Sequence, residues 1–255
     1  MSDQIIKTAP MTPQEKRVLA ALLICVCAVI ALWIHNKDIQ SRWINVPPPP
    51  SQFSAAGSGL GDVHFAYRKY GITLQNIGDT GGRVTSLNDY NYDNVAAWFR
   101  LLHRFDFRSN FIPFLAAYYY GSVSKDKHRL RPLVLYLADA GNSQEGEKWR
   151  WLAQATYLAR FAVKDMDLAL SLSEKLGKLN HPNMPAWARH MRANVLNARG
   201  EKEAAYGMLI GILENSADSM HPNEVNATLA YICEQILTPE QNKNNSLCEE
   251  FPPVE

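Results

Sequence analysis

Two patterns of apolar residues divide the chain. Val18 to Ile34 (VLAALLICVCAVIALWI) runs for seventeen residues without a charged or strongly polar side chain. At helical rise that run spans roughly 25 Å, the short end of a transmembrane helix. From His64 onward apolar positions instead recur at spacings of three and four, with no long alternating run, the pattern of amphipathic helices rather than strands. The class expected is all-α: a membrane anchor, then helices near 64–77, 92–105, 110–121, 128–140, 145–162, 166–178, 185–199, 202–215 and 223–237. The organisation read from this is a polar tail over 1–12, an anchor over 13–44, a linker over 45–62, a helical domain over 63–238 and a polar tail over 239–255.

The anchor starts on a clear signal. Thr12 can cap the helix, Pro13 suits its first position and Glu15 can close a capping box. Trp33 and Trp43 are placed as interfacial aromatics, with Lys37 and Arg42 on the far polar flank. A cleaved signal would end in small residues, whereas this run ends in Leu32-Trp33-Ile34. Neither Cys25 nor Cys27 follows a small residue as a lipidation site would require. Lys7, Lys16 and Arg17 before the span slightly outnumber Lys37 and Arg42 after it, which favours an N-terminus inside the cell and an exported C-terminal domain.

Beyond the anchor, Pro47 to Pro50 favour a stiff polyproline segment, and the Ser, Ala and Gly that follow to Gly61 suggest flexibility. The eighteen residues from Val46 to Val63 reach roughly 60 Å at full extension, so a tethered domain is expected. The linker also changes the charge picture. Residues 1–62 hold five Lys/Arg and four Asp/Glu, whose removal from the whole-chain totals of 26 and 25 leaves 21 of each sign downstream. A nucleic-acid-binding domain would carry a basic excess; none is expected to bind here.

Chemical motifs are sparse. Asp79-Thr80-Gly81 matches an aspartic-protease triplet, but it falls between helices with no second copy to share a proton. Gly57-Ser58-Gly59-Leu60-Gly61 lacks the preceding strand and the following Gly-Lys-Ser/Thr of a phosphate loop. The seven histidines offer no metal-ligand spacing, and no Ser or Cys sits in a nucleophile motif. No catalysis, cofactor, metal or small-molecule substrate is expected. Cys233 and Cys248 remain open: outside the cytoplasm they could form a disulfide contributing roughly 3 kcal/mol, and inside they would stay reduced.

The helical part is weakly self-similar. Lys164-Asp165-Met166-Asp167-Leu168-Ala169-Leu170 aligns with Gly200-Glu201-Lys202-Glu203-Ala204-Ala205-Tyr206, thirty-six residues on, and His181-Pro182-Asn183 recurs as His221-Pro222-Asn223 after forty. With its small Ala after a turn and its Pro where one unit hands over to the next, this resembles the 34-residue helix hairpin of tetratricopeptide repeats, over about 64–237 in four hairpins. The resemblance implies a solenoid whose concave surface binds proteins or peptide segments. The architecture is similar to that of bacterial inner-membrane repeat proteins, which implies an adaptor or scaffold in that membrane, N-terminus cytoplasmic and domain periplasmic; a permanent subunit of a membrane complex is the alternative. If the first helices of successive hairpins line the groove, Arg189, Arg192 and Arg199 form one stripe and Trp149 and Arg160 another. Such an edge would hold an acidic or C-terminal peptide.

Overall fold

The computed structural model describes residues 12–37, 46–77, 79–80, 83–122, 127–143, 145–179, 181 and 183–251. Helix α1 (Pro13–Asn36) and the helical domain are separate units, and each is treated by itself. The capping box of α1 forms as expected: the Thr12 backbone N–H donates to Glu15 Oε2 at 2.7 Å, and the Glu15 N–H donates to Thr12 Oγ1 at 3.3 Å. None of its side chains is buried against protein, and it is long and apolar enough to cross a membrane. Lys7, Arg42 and Trp43 lie outside the described residues.

The domain consists of α2 (Gln52–Gly57), α3 (Val63–Gln75), α4 (Tyr92–Phe105), α5 (Phe111–Phe114), α6 (Arg131–Gly141), α7 (Trp149–Leu158), α8 (Met166–Lys178), α9 (Ala186–Arg189), α10 (Met191–Ala198), α11 (Lys202–Ser216), α12 (Pro222–Tyr231) and α13 (Pro239–Lys243). The β structure among the described residues is a two-residue pairing of Asp79–Thr80 with Arg83–Val84; Gly81 of the expected turn lies outside them. Helices pack in chain order, α6 on α7, α7 on α8, α8 on α10 and α10 on α11. Gly141 makes the first of these possible, because a Cβ there would sit 2.2 Å from the Leu152 backbone nitrogen. Ala169 and Ala205, the small residues of the repeated segment, are both fully buried.

Helices α5, α7 and α12 run on into π turns at Leu115–Tyr119, Ala159–Val163 and Ile232–Ile236. The two copies of the His-Pro-Asn triplet share a hydrogen bond, since Nδ1 of His181 and of His221 each accepts from the backbone N–H of the Asn two residues on, at 3.2 Å. Only His221 caps a helix by it, with Pro222 in the first turn of α12. The N-cap of α12 is thus His221, two residues before Asn223.

Most of the interior is one aromatic-rich core reaching from Val46 to Val195. Phe99 meets Tyr120 edge-on at 5.4 Å and Tyr136 at 5.5 Å. Tyr120 donates its hydroxyl to the Leu74 carbonyl at 2.6 Å, and Tyr92 donates to the Tyr120 carbonyl at 3.2 Å, so these two phenols are satisfied by backbone acceptors. Lys148, 4% exposed, is another tie: its ammonium donates to the carbonyls of Arg108 and Ser109 and to Asn110 Oδ1 at 2.8–2.9 Å. A second, smaller core spans Ala193 to Cys248 and includes Leu209, Ile232 and Ile236.

Two expectations need correcting. The segment expected as a free linker begins inside the domain: Val46 is buried, its carbonyl accepts from Asn94 Nδ2 at 2.7 Å, and the Pro47 carbonyl accepts from Trp98 Nε1 at 2.8 Å. Prolines donate no backbone hydrogen bond but keep their carbonyls, and side chains of α4 use that first acceptor. The expected polar tail is likewise folded as far as Phe251. Thr238 and Gln241 close a capping box on α13, and the buried Asn242 amide donates to the carbonyls of Cys233 and Phe251 at 2.8 and 2.9 Å. Cys233 and Cys248 are joined in a disulfide with Cα atoms 5.7 Å apart.

Candidate functional site

Of the residues singled out in the sequence, two come together at a groove. The helix expected over 185–199 is interrupted at His190, so Arg189 closes α9 and Met191 opens α10. The break turns the imidazole inward, where it is 6% exposed. His190 Nδ1 stands 3.3 Å from Thr228 Oγ1 on α12, and that hydroxyl donates its one proton to the Glu224 carbonyl at 2.7 Å. Nδ1 must then carry the proton that bridges to Thr228, which leaves Nε2 as an acceptor. Nε2 is buried and has no hydrogen-bond partner. Burial, supported by the charge of Arg189 and opposed by Glu224, holds the His190 pKa below its ordinary value, so the ring is neutral.

A cavity lies on each side of this histidine. One, about 290 Å³, is lined by Arg189, Arg192 and Lys178 with Met208, Ile212 and Met220. Glu174 also borders it and is paired with Lys178 at 2.9 Å. The hydrogen bond from Lys178, helped by the charges of Lys178 and Arg192, keeps the Glu174 carboxylate below its ordinary pKa. Arg192 has its Nε buried without a partner. The other cavity, about 330 Å³, is bordered by Trp187, Asn194, Leu209, Glu224 and Tyr231. Glu224 is already engaged, its carboxylate accepting from the Ala186 backbone N–H at 2.9 Å at the start of α9. Three cations against one carboxylate, itself paired with Lys178, over methionine and isoleucine side chains, favour an anionic group carried on an apolar chain.

The other three expected contact residues lie elsewhere. Trp149 is 2% exposed and belongs to the core, with Trp187 edge-on to it at 5.8 Å. So buried, it offers no surface for contact; Trp187, 52% exposed, is the accessible indole of the pair. Arg160 lies over the Phe161 ring at 4.5 Å. Arg199 is tied to Asp167 at the start of α8 and, at 2.7 Å, to Glu201. Arg199, at the C-terminal cap of α10, does not line the groove of Arg189 and Arg192 and ties α10 to the starts of α8 and α11 instead.

Sequence reasoning missed His190, Trp187, Met208, Thr228 and Glu224. The histidine carried no local signal, since its partner lies thirty-eight residues away on α12. Among the described residues no group of three His, Cys, Asp or Glu is placed to hold a metal ion. No family model, curated protein or solved structure significantly matches the chain.

Proposed function

We propose that this chain is a membrane-anchored adaptor: α1 crosses a bilayer once, and the domain, built as tetratricopeptide-like hairpins, holds a partner protein by an acidic segment in the groove at His190. The observation that carries this reading is the placement of Arg189, Arg192 and Lys178 around a groove floored by Met208, Ile212 and Met220, because Arg can clamp a carboxylate with two hydrogen bonds while the apolar side chains bury the segment that carries it. The Cys233–Cys248 disulfide supports an oxidising compartment for the domain, hence a cytoplasmic N-terminus and a periplasmic domain in a bacterial inner membrane.

The test begins with cross-linking of the full-length chain in its membranes and identification of the attached protein by mass spectrometry. Arg189→Ala with Arg192→Ala should then weaken binding of that partner about tenfold or more, about 1.4 kcal/mol, with little change in thermal stability. Arg199→Ala should leave affinity unchanged. Equal affinity in the Arg189/Arg192 double variant would end the groove reading.

A second reading, a permanent subunit of a membrane complex, is favoured by a different observation. Phe111, Phe114 and Tyr118 are exposed, with Phe114 and Tyr118 rings 5.0 Å apart and Tyr118 6.4 Å from Trp151. Apolar surface of this kind is covered in permanent assemblies. Residues 46–255 should then aggregate when produced alone, whereas an adaptor domain should be soluble.

A further inference from the structure

The segment between Ser51 and Asp62 is firmly held yet shows its largest side chains to solvent. Ser51 caps α2 by accepting from the Ser54 N–H at 3.2 Å. Ala55 is fully buried, and Gly59 lies so close to α3 that a Cβ there would be 2.9 Å from the Ala66 Cβ. Lys69 on α3 donates to the Ser58 carbonyl at 3.3 Å, and Asp62 caps α3 by accepting from the His64 and Phe65 N–H groups. Against this fixed base Phe53 is 90% exposed and Leu60 95% exposed, with Phe65 following at 53%.

Leu60 is the more telling of the two. Its φ is +57°, in the left-handed region that disfavours a residue with a branched Cγ and favours glycine. Neither backbone preference nor packing accounts for a leucine at this position. Something outside the domain does, and the chain itself supplies a candidate. Eight residues separate Lys37, at the end of α1, from Val46, which is fixed to α4; at full extension that is about 30 Å. Phe53 follows seven residues later, and no charged residue occurs from Val46 to Gly61. The first charges met are Asp62, then His64, Arg68 and Lys69, with Asp62 facing His64 and Arg68. An uncharged apolar tip bordered by a basic excess matches the acyl–headgroup boundary of an anionic bilayer.

We infer that residues 51–62 form a membrane-docking tip, in which Phe53 and Leu60 enter the interface of the bilayer crossed by α1 while Arg68 and Lys69 meet anionic headgroups. The inference rests on the reading of α1 as a membrane span. It gives the domain a second attachment, so that the tether does not leave it free.

The experiment uses the full-length protein with Cys25→Ser and Cys27→Ser, reconstituted in vesicles of phosphatidylcholine and phosphatidylglycerol. Single cysteines replace Phe53, Leu60, Glu214 and, inside α1, Ala28, each carrying a nitroxide. The ratio of oxygen to nickel-chelate collision rates should be several-fold higher at positions 53 and 60 than at 214, and should fall toward the value at 214 in vesicles of phosphatidylcholine alone. Leu60→Gly should lower the ratio at position 53 without lowering the melting temperature, because glycine suits the positive φ. Immersion at position 28 with water-like ratios at 53 and 60 overturns the docking tip alone. Water-like ratios at position 28 overturn both it and the membrane span. Spin–spin broadening between labels at 53 on two copies would assign the tip to self-association and overturn it as well.

Discussion

The two cores of the domain are closed by different means. In the first, Phe99, Tyr120, Tyr136 and Trp149 are all but fully buried, and phenol hydroxyls fasten neighbouring elements through backbone carbonyls. In the second the buried members are Ala193, Leu196, Ala205, Leu209, Ile232 and Ile236 with the disulfide, and the aromatic residues against it, Tyr206, Tyr231 and Phe251, are only half-buried. Aromatic side chains bury large apolar areas, so the first core can hold by burial alone. The second has too little interior for that and substitutes a covalent link, as small units do. The groove at His190 lies on α8 to α12, beside both cores.

The largest effect that would break this comparison comes from the first core. Phe99→Ala should cost about 3–5 kcal/mol and lower protection against hydrogen exchange throughout α3 to α8. A loss confined to α4 would show that the first core is not one cooperative body. Next comes Cys248→Ser, which removes the link closing fifteen residues and should cost about 3 kcal/mol. Its exchange signature should be confined to α11, α12 and α13, with α4 to α7 unchanged. Loss of protection in both regions alike would merge the two cores into one.

The smallest effect is pH dependence. His103, half-buried beside Tyr136, and His190 both have pKa values held below the ordinary 6.5, foremost by desolvation. For His103 the charge of Lys148 adds to burial, while Asp106 and Asp139 oppose it. Above pH 6.5 neither the folded nor the unfolded chain protonates these rings, so their contribution is fully present. As pH falls through that value the unfolded chain takes up protons that the folded one refuses, and stability drops by up to about 1.4 kcal/mol per unit for each ring. Urea unfolding at pH 7.5 and 5.5 should show the drop, and His190→Gln should remove only the part belonging to the second core. An unchanged slope in that variant would mean that His190 titrates freely.

How far this architecture was legible in the sequence follows from range. Helices α4 and α8 match their expected bounds of 92–105 and 166–178, because each has a strong apolar stripe and a side chain, Asn91 or Asp165, ready to cap it. The short α2 and α13 were read as linker and tail, since six or five residues show no period and their fixation depends on Ala55, Gly59 and Asn242 meeting distant elements. Arg189 and Arg192 were named from spacing alone, and the groove they border became visible only with four elements in place. Trp149 and Trp187 show the limit: both are tryptophans near helix starts, and only packing tells the buried one from the exposed one.

The three π turns carry one more consequence. Each inserts roughly one residue more than an α-helical turn needs, near the end of α5, α7 or α12, and each includes an exposed residue: Tyr119, Phe161 and Glu234. Such single turns absorb the extra residue locally, and the helix on either side keeps its face. The lineage of this chain could therefore gain or lose a residue at these three places without rotating a buried stripe into water. The same change in the middle of α4 would swing every later side chain of the helix by about 100°. Length variation among descendants of this sequence should accumulate at the ends of the outgoing helices, and the interiors of α4, α6 and α8 should hold their count.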